Sequence, residues 1–571
     1  MSTLRKPALG PIVGHTTHDS CRLWIAASDE LDEKGLAEDS RTIGVIGVVG
    51  GNNQVAPEHV YYFRLRREYD RTGTFNLGVD ISLWKDEAHK ATLKPFLLKP
   101  STAYRVRMAS LALDDAHPND EDVATEEIVR RLPPASAWAP DLNRTDGRRE
   151  YVEAAFTTQP KPPSGAKLGP LSFLLGSCRY PGLLWKRKHS DRIFGPMLQQ
   201  HRAKPANFVL MVGDQIYADM FHRAVPIGLA DTYEEFQERY HDAFGSQNMA
   251  ALLSRLPTYM ILDDHEIEDN WTQDRINDKH KRVLFNLAIG AYMSYQWSHG
   301  PRFADSYVHA RAMKTEEKCL QRLDTGNQLF YDFSCAGYPF FVLDTRTQRF
   351  QDDRQGLDDN HLLGRPSLHP SEPSQLDRLC AWLRHMQEDG GNVPKFIATS
   401  SVFVPNGVDT LIDDQHKNDS DSWPGFPETR RAVLETIVRH KVQNVIFLSG
   451  DIHCANIAEI TFTGPGNNLT VYSITSSAFY WPFPFAEGDP AGYVHDSQAA
   501  KTKDSFKIST AAGTMNYKAW AFTQSDNFCR IDVDPIKNEL IVQVFDAEGK
   551  PISTRKRDGN VNTNPERLEL A

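Results

Sequence analysis

Five apolar runs in the chain each stop at a cluster of reactive side chains. Leu171–Gly176 ends in Ser177-Cys178-Arg179-Tyr180, and Phe208–Val212 ends in Gly213-Asp214-Gln215-Ile216-Tyr217-Ala218-Asp219. Tyr338–Leu343 ends in Asp344-Thr345-Arg346, and Asn444–Leu448 ends in Ser449-Gly450-Asp451-Ile452-His453. The densest case is Leu256–Trp271, where Tyr259–Leu262 gives way to five carboxylates and a histidine within the seven residues from Asp263 to Asp269. One acidic run is usually a solvated loop. Five strand ends of this kind in one chain point instead to a crevice beyond a sheet, where α/β enzymes place their chemistry.

The residue types suit two metal ions about 3.5–4 Å apart, which clamp a phosphate and activate a water or hydroxide. Such a site needs a bridging carboxylate. Asp214 suits that role, because Gly213 before it lets backbone and metal come close. Asp451 and His453 are two apart and reach the same pair if the strand has already turned into a loop; the plain alternative for His453 is a core or surface histidine. With Asp264 as a ligand, His265 is placed to give a proton or hydrogen bond to the phosphate or the leaving group. Cys178 alone reads as a small buried hydrophobe; beside an Asp/His/Tyr set it reads as a thiolate ligand. Tyr217 is either a packing aromatic or a phenolate that suits iron(III) better than zinc. Arg346 either forks two phosphate oxygens or pairs with Asp344 or another acid.

The elements that must carry these residues fall into two textures. With 571 residues the chain is too long for one core. Residues 8–158 read as all-β, with runs at Cys21–Ala27, Thr42–Val49, His59–Leu65, Gly73–Ile81 and Tyr104–Leu113. Leu98–Tyr104 fits the corner in which a tyrosine at a strand's start bonds to backbone upstream, a feature of immunoglobulin-like sandwiches. Residues 159–169 read as a Pro/Gly linker, residues 170–553 as strands alternating with helices, and residues 554–571 as a polar, disordered tail. Asp114–Glu127 reads as a surface insertion.

Composition narrows the function classes. A net charge of -11 argues against nucleic acid as a main partner. No run of about 18 apolar residues suggests a membrane span. Met1–Pro11 has neither the apolar stretch of a secretory signal nor a twin arginine, so a cytoplasmic location is expected. The seven scattered cysteines do not form a disulfide framework. Nothing here fixes an oligomeric state.

In this order, Ser177-Cys178, Gly213–Tyr217, Asp263–Glu266, Leu343–Arg349 and Gly450–His453 resemble the alkaline phosphatase D (PhoD-like) family of the calcineurin-like metallophosphoesterases. The resemblance spans nearly the whole chain, including Gly10–Trp24 and the Leu98–Tyr104 corner. It implies an N-terminal immunoglobulin/fibronectin-III-like β-sandwich followed by a metallophosphatase α/β/β/α sandwich, and hydrolysis of small-molecule phosphoesters. It also implies iron(III) held by Cys178, Asp214, Tyr217 and His453. Calcium would be shared by Asp214, Asp451 and a side chain of Asp264–Asn270, with Asp264, Asp269 and Asn270 as the candidates. Manganese or zinc could fill the same ligands. His265 would be the catalytic histidine, and Arg346 with Asn270 would contact substrate. Three features depart from the family pattern or shape the cleft: Arg179 after the cysteine, the polar stretch Asp352–Glu372, and the aromatic run Phe479–Phe485, which reads as core or as a stack for a nucleobase. The competing readings are a metallohydrolase of a different ester and a non-catalytic binding module that retains the fold.

Overall fold

The computed structural model describes residues 3–27, 42–66, 69–83, 93–112, 124–162, 168–182, 187–220, 229–302, 328–351, 360–365, 371–406, 421–483, 493–499 and 504–571. Positions 352–359 and 366–370 of the expected polar insertion, 114–123 of the N-terminal one, and 484–485 of the aromatic run lie outside these. The chain divides into two compact units. One comprises Met1–Pro162, Thr232–Tyr259 and Ile289–Lys318; the other comprises Pro163–Asp231, Met260–Ala288 and Cys319–Ala571.

The first unit is built on two antiparallel sheets. Leu4–Arg5, Ala103–Ala112, Thr42–Val49 and Val55–Arg64 form one sheet, with Val152–Thr157 paired to Ala103–Ala112. Leu9–Thr16, Cys21–Ala26 and Thr72–Leu77 form the other. Strand alternation sorts the side chains of the larger sheet onto two faces. Ile46, Phe63 and Met108 pack with Leu23 and Phe75 of the smaller sheet. Val45, Tyr62 and Leu111 pack under Ile128 and Leu142. Both faces are therefore buried, which is why Thr42–Val49 reads as a nearly continuous apolar run. At the Leu98–Tyr104 corner, the Lys99 N–H donates to the Tyr104 hydroxyl at 2.8 Å.

The second unit holds two sheets face to face. One includes, in this order, Phe208–Met211, Leu171–Gly176, Asn527–Asp534, Glu539–Asp546 and Glu566–Glu569, with the first pair parallel and the others antiparallel. The eight-stranded sheet has a parallel centre of Tyr338–Val342, Lys395–Ala398, Val445–Ser449 and Val471–Thr475. The sheets meet through aromatic rings: Phe173 lies edge-on to Phe340 and Phe396 at 5.6 and 5.5 Å. Helices Gln375–Gly390 and Pro427–Arg439 cover the outer face of the larger sheet with Leu379, Leu383, Val433 and Ile437. Ser374 starts the first of these helices with a capping box to Asp377.

The C-terminal tail is ordered, contrary to the sequence expectation. Glu566–Glu569 adds to the edge of the five-strand run, pairing Leu568 with Leu540, and Leu568 is buried. The Ala571 N–H donates to Asn444 Oδ1 at 2.8 Å. A four-residue strand carries too few apolar positions to announce itself; its partner strand supplies the register. Ala455–Phe462 and Gly513–Thr523 were likewise unmarked by the sequence and pair with each other. Among the described residues no helix is long and apolar enough to cross a membrane, and no disulfide joins the cysteines.

Candidate metal centre

Adjacent strand ends converge on one buried pocket. The parallel pair Leu171–Gly176 and Phe208–Met211 delivers Cys178 and Asp214, and their loops are tied by Cys178 N–H to Gly213 O (3.1 Å) and Arg179 N–H to Asp214 O (2.8 Å). Val445–Ser449, central in the other sheet, delivers Asp451 and His453. Cys178, Asp214, Asn270, Asp451 and His453 all have positive φ, between 53° and 68°. Left-handed backbone at a non-glycine residue costs on the order of 1 kcal/mol or more, and such strain concentrates at functional sites. Two glycines permit the convergence. A Cβ at Gly213 would lie 2.5 Å from Cβ of Asp263, and one at Gly450 would lie 2.1 Å from Oγ of Ser177.

Four carboxylates face one another there. Asp214, Asp263, Asp264 and Asp451 offer oxygens that all lie within 4.8 Å of each other, and Asp214, Asp264 and His265 form an overlapping set. Burial, then the neighbouring Cys178 and acids, push Asp214 well above the ordinary carboxylate range. Burial and the surrounding aspartates do the same to Asp451. Asp263 is pushed up by burial to about 6, even though Arg346 opposes the rise. Asp264 alone is held low: burial works against it, but Arg346 and His265 outweigh that. Among the described residues, Asp214 Oδ1 and Asp263 Oδ2 are buried without a hydrogen-bond partner. Buried, unpaired carboxylate oxygens among further acids are expensive alone and fit a cation among them. A cation would also reverse the upward shifts.

The softer candidates lie beside the acids. Cys178 Sγ is 3.2 Å from Asp214 Oδ2, and Tyr217 Oη is 3.3 Å from His453 Nε2. Burial pushes the Cys178 thiol up to about 12 and the Tyr217 phenol well above its usual value. Both stay protonated unless a cation displaces the proton. Burial, then His265, lowers His453 to about 3, which keeps the imidazole neutral and its lone pair available.

His265 has the opposite character. Its Nδ1 lies 2.9 and 3.0 Å from the two oxygens of Asp219, and its ring stacks on Tyr217 at 4.2 Å. Burial lowers its affinity for a proton, but Asp264 and Asp219 overcome this and raise it to about 9. The loop around it is fixed by Glu266, whose carboxylate accepts the backbone N–H groups of Asp263, Asp214 and Gln215 at 2.9, 3.2 and 2.8 Å.

Arg346 lies in an ion cluster. It is fully buried; Nε donates to Asp263 Oδ1 at 2.5 Å, and Nη1 and Nη2 fork Asp421 at 2.7 and 2.6 Å. Nη2 is also 3.4 Å from Asp264 Oδ1. The ion-pair alternative, Asp344 or another acid, therefore describes its position, with Asp263 and Asp421 as the acids, and its guanidinium is not open to a phosphate in this arrangement. Arg349 reaches the same Asp421 carboxylate. Asn270 is exposed, and it is its backbone N–H that reaches Asp264 Oδ2, at 2.7 Å. Asp269 is exposed as well, with its N–H on Asp219.

Sequence reading overlooked Asp219, Asp263, Glu266, Asp421 and Trp481 as site residues. Asp219 and Asp263 sit in motifs already singled out, and their proximity to Tyr217 and Asp264 was the available signal. Asp421 belongs to a polar run with no mark of its own. Trp481 stacks on His453 at 3.7 Å, from within the aromatic run.

Three comparisons bear on this arrangement. The family model described as PhoD-like phosphatase matches residues 185–521. Alkaline phosphatase D of Bacillus subtilis (strain 168) is 24% identical over 226 residues, which is 39% of this chain and 36% of that protein. The match thus spans about a third of the length of that relative. A solved structure titled "Structure of PhoD" superposes with a TM-score of 0.58 at 16% identity, over 99% of this chain and 93% of that one, which shows a shared fold.

Proposed function

The chain belongs to the PhoD-like phosphatase family, and from that premise we propose that it is a metal-dependent hydrolase of small-molecule phosphoesters. The observation that carries this reading is the convergence of Asp214, Asp263, Asp264 and Asp451 within 4.8 Å, with two of their oxygens lacking partners among the described residues. In this reading Cys178, Asp214, Tyr217 and His453 hold iron(III), and Asp214, Asp264 and Asp451 hold calcium. Such a pair supplies Lewis-acid polarisation of the phosphoryl group and a lowered pKa for attacking water. His265 carries a proton on Nε2, with Nδ1 anchored on Asp219, and delivers it to the leaving-group oxygen. Arg346 orients Asp263 and Asp264 and neutralises part of their charge. Asn270 keeps Asp264 in place through its backbone N–H.

The Lys99–Tyr104 bond and the two facing sheets of the first unit support an immunoglobulin-like sandwich over residues 8–158. The helix-covered, face-to-face sheets of the second unit support the α/β/β/α layering.

The test is hydrolysis of an aryl phosphate by metal-analysed protein. Asp214→Ala and Asp451→Ala are expected to abolish turnover and lower metal content while the protein stays folded by circular dichroism. Retained activity in both variants would sink the two-metal reading. Folded protein that binds no metal and turns over no ester would leave the binding-module alternative.

A further inference from the structure

Trp481 and Phe483 extend outward from the candidate metal centre as a row of aromatic surface. The indole of Trp481 lies flat on the imidazole of His453, with 3.7 Å between centroids and 15° between planes. Phe483 meets Trp481 at 5.0 Å and 66°, and Tyr180 closes the group at 5.2 Å from Phe483 and 5.8 Å from Trp481. The inner members are packed: Tyr180 and Tyr217 are each 1% exposed. The outer member is not, since Phe483 is 41% exposed. A lone exposed phenylalanine means little. This one meets edge-on the indole that covers a proposed metal ligand.

The inner end of the row is tied at its backbone. The Trp481 N–H of the backbone donates to Asp526 Oδ1 at 3.1 Å, and Asp526 is paired with Arg192 at 3.3 Å. Among the described residues the buried indole N–H has no acceptor. The exposed Asp269, whose Oδ1 lies 3.9 Å from His265 Nε2, would repel a second negative charge on the substrate there. A neutral, planar group would instead meet the exposed Phe483 ring beside Trp481, where aromatic packing is favourable.

We propose that the Trp481–Phe483 row is a leaving-group platform, and that the preferred substrates are phosphoesters of planar aromatic alcohols or nucleosides over those of small aliphatic alcohols. The proposal rests on the phosphoester-hydrolase reading above and specifies its substrate class.

Two measurements on the full-length, metal-analysed protein test it separately from that reading. The first compares adenosine 5′-monophosphate with glycerol 1-phosphate, both alkyl esters, so that leaving-group acidity does not decide the outcome. Wild type should favour the adenosine ester in kcat/KM by about tenfold or more, as stacking on aromatic side chains predicts. Phe483→Ala should reduce that ratio mainly through KM, Phe483→Leu should reduce it nearly as far, and Phe483→Tyr should restore it. Turnover of both esters with a ratio that Phe483→Ala does not change overturns the platform and leaves the hydrolase reading intact. The second measures calorimetric binding of phenylphosphonate against methylphosphonate, which needs no turnover. Tighter binding of the phenyl compound, lost in Phe483→Ala, supports the platform even in a protein that hydrolyses neither ester. Equal binding of the two overturns it.

Discussion

Asp219 holds the Nδ1 edge of His265, with both carboxylate oxygens at 2.9–3.0 Å. The same carboxylate takes the Asp269 N–H at 2.6 Å, so it fixes the loop as well as the ring. One face of the ring is covered by Tyr217. This leaves Nε2, 3.9 Å from the exposed Asp269 carboxylate, as the nitrogen able to act on a substrate.

Replacing Asp219 by Asn keeps the shape and removes the charge. The imidazole then loses its anchor and part of the field that keeps it protonated. Asp219→Asn should lower kcat by about 10²-fold, the scale of a lost general acid, with metal content unchanged. An unaltered kcat would remove His265 from proton transfer.

Stability should fall in acid for a reason located in the first unit. His299 is buried, and burial, with help from Arg22, lowers it from 6.5 to about 3 despite an opposing backbone bond from Tyr295. The folded state therefore keeps His299 neutral while the unfolded chain takes up a proton below pH 6.5. Stability tied to this group is present above that pH and declines as pH falls toward 3, with a slope of about 1.4 kcal/mol per pH unit. His299→Phe should flatten the decline between pH 6 and 4 in denaturant titrations. If the two slopes coincide, His299 is charged or solvated in the folded chain.

Much of the scaffold was legible because buried strands announce themselves. Leu171–Gly176 and Thr42–Val49 are continuous apolar runs, and the structure bounds both at the residues the sequence suggests. The spacing of apolar residues over Leu376–Glu388 and Arg430–His440 predicts helices, and the structure bounds them at Gln375–Gly390 and Pro427–Arg439. Pairings between distant segments were not legible. Nothing in the sequence of Arg346 says whether its fork meets a phosphate or Asp421, which lies 75 residues on. The tail failed for a related reason: Leu568 is one apolar residue among charges, and it becomes a core residue only once Leu540 lies beside it.

That last pairing can be measured. Leu568→Ala removes a buried side chain from an edge strand, and a loss of about 2 kcal/mol is expected, the low end for leucine truncation in a core. The denaturation midpoint should drop with an unchanged m-value. An unmoved midpoint would mean that Glu566–Glu569 contributes no stability.

Arg346 separates two roles by two readouts. A phosphate-gripping arginine, when lost, raises KM and leaves the fold alone. A buried arginine that pairs with Asp263, Asp264 and Asp421 leaves Asp263 and Asp264 without that cation when it is lost, while Arg349 still holds Asp421. Removing one partner of a buried ion pair destabilises by about 3–5 kcal/mol. Arg346→Ala should therefore lower the unfolding midpoint strongly in protein stripped of metal. Arg346→Lys should recover only part of the loss, because an ammonium cannot fork Asp421 and reach Asp263 together. Metal should offset some of the defect, since added cationic charge replaces what the guanidinium supplied to the same carboxylates. A variant with wild-type stability and a raised KM would return Arg346 to the substrate.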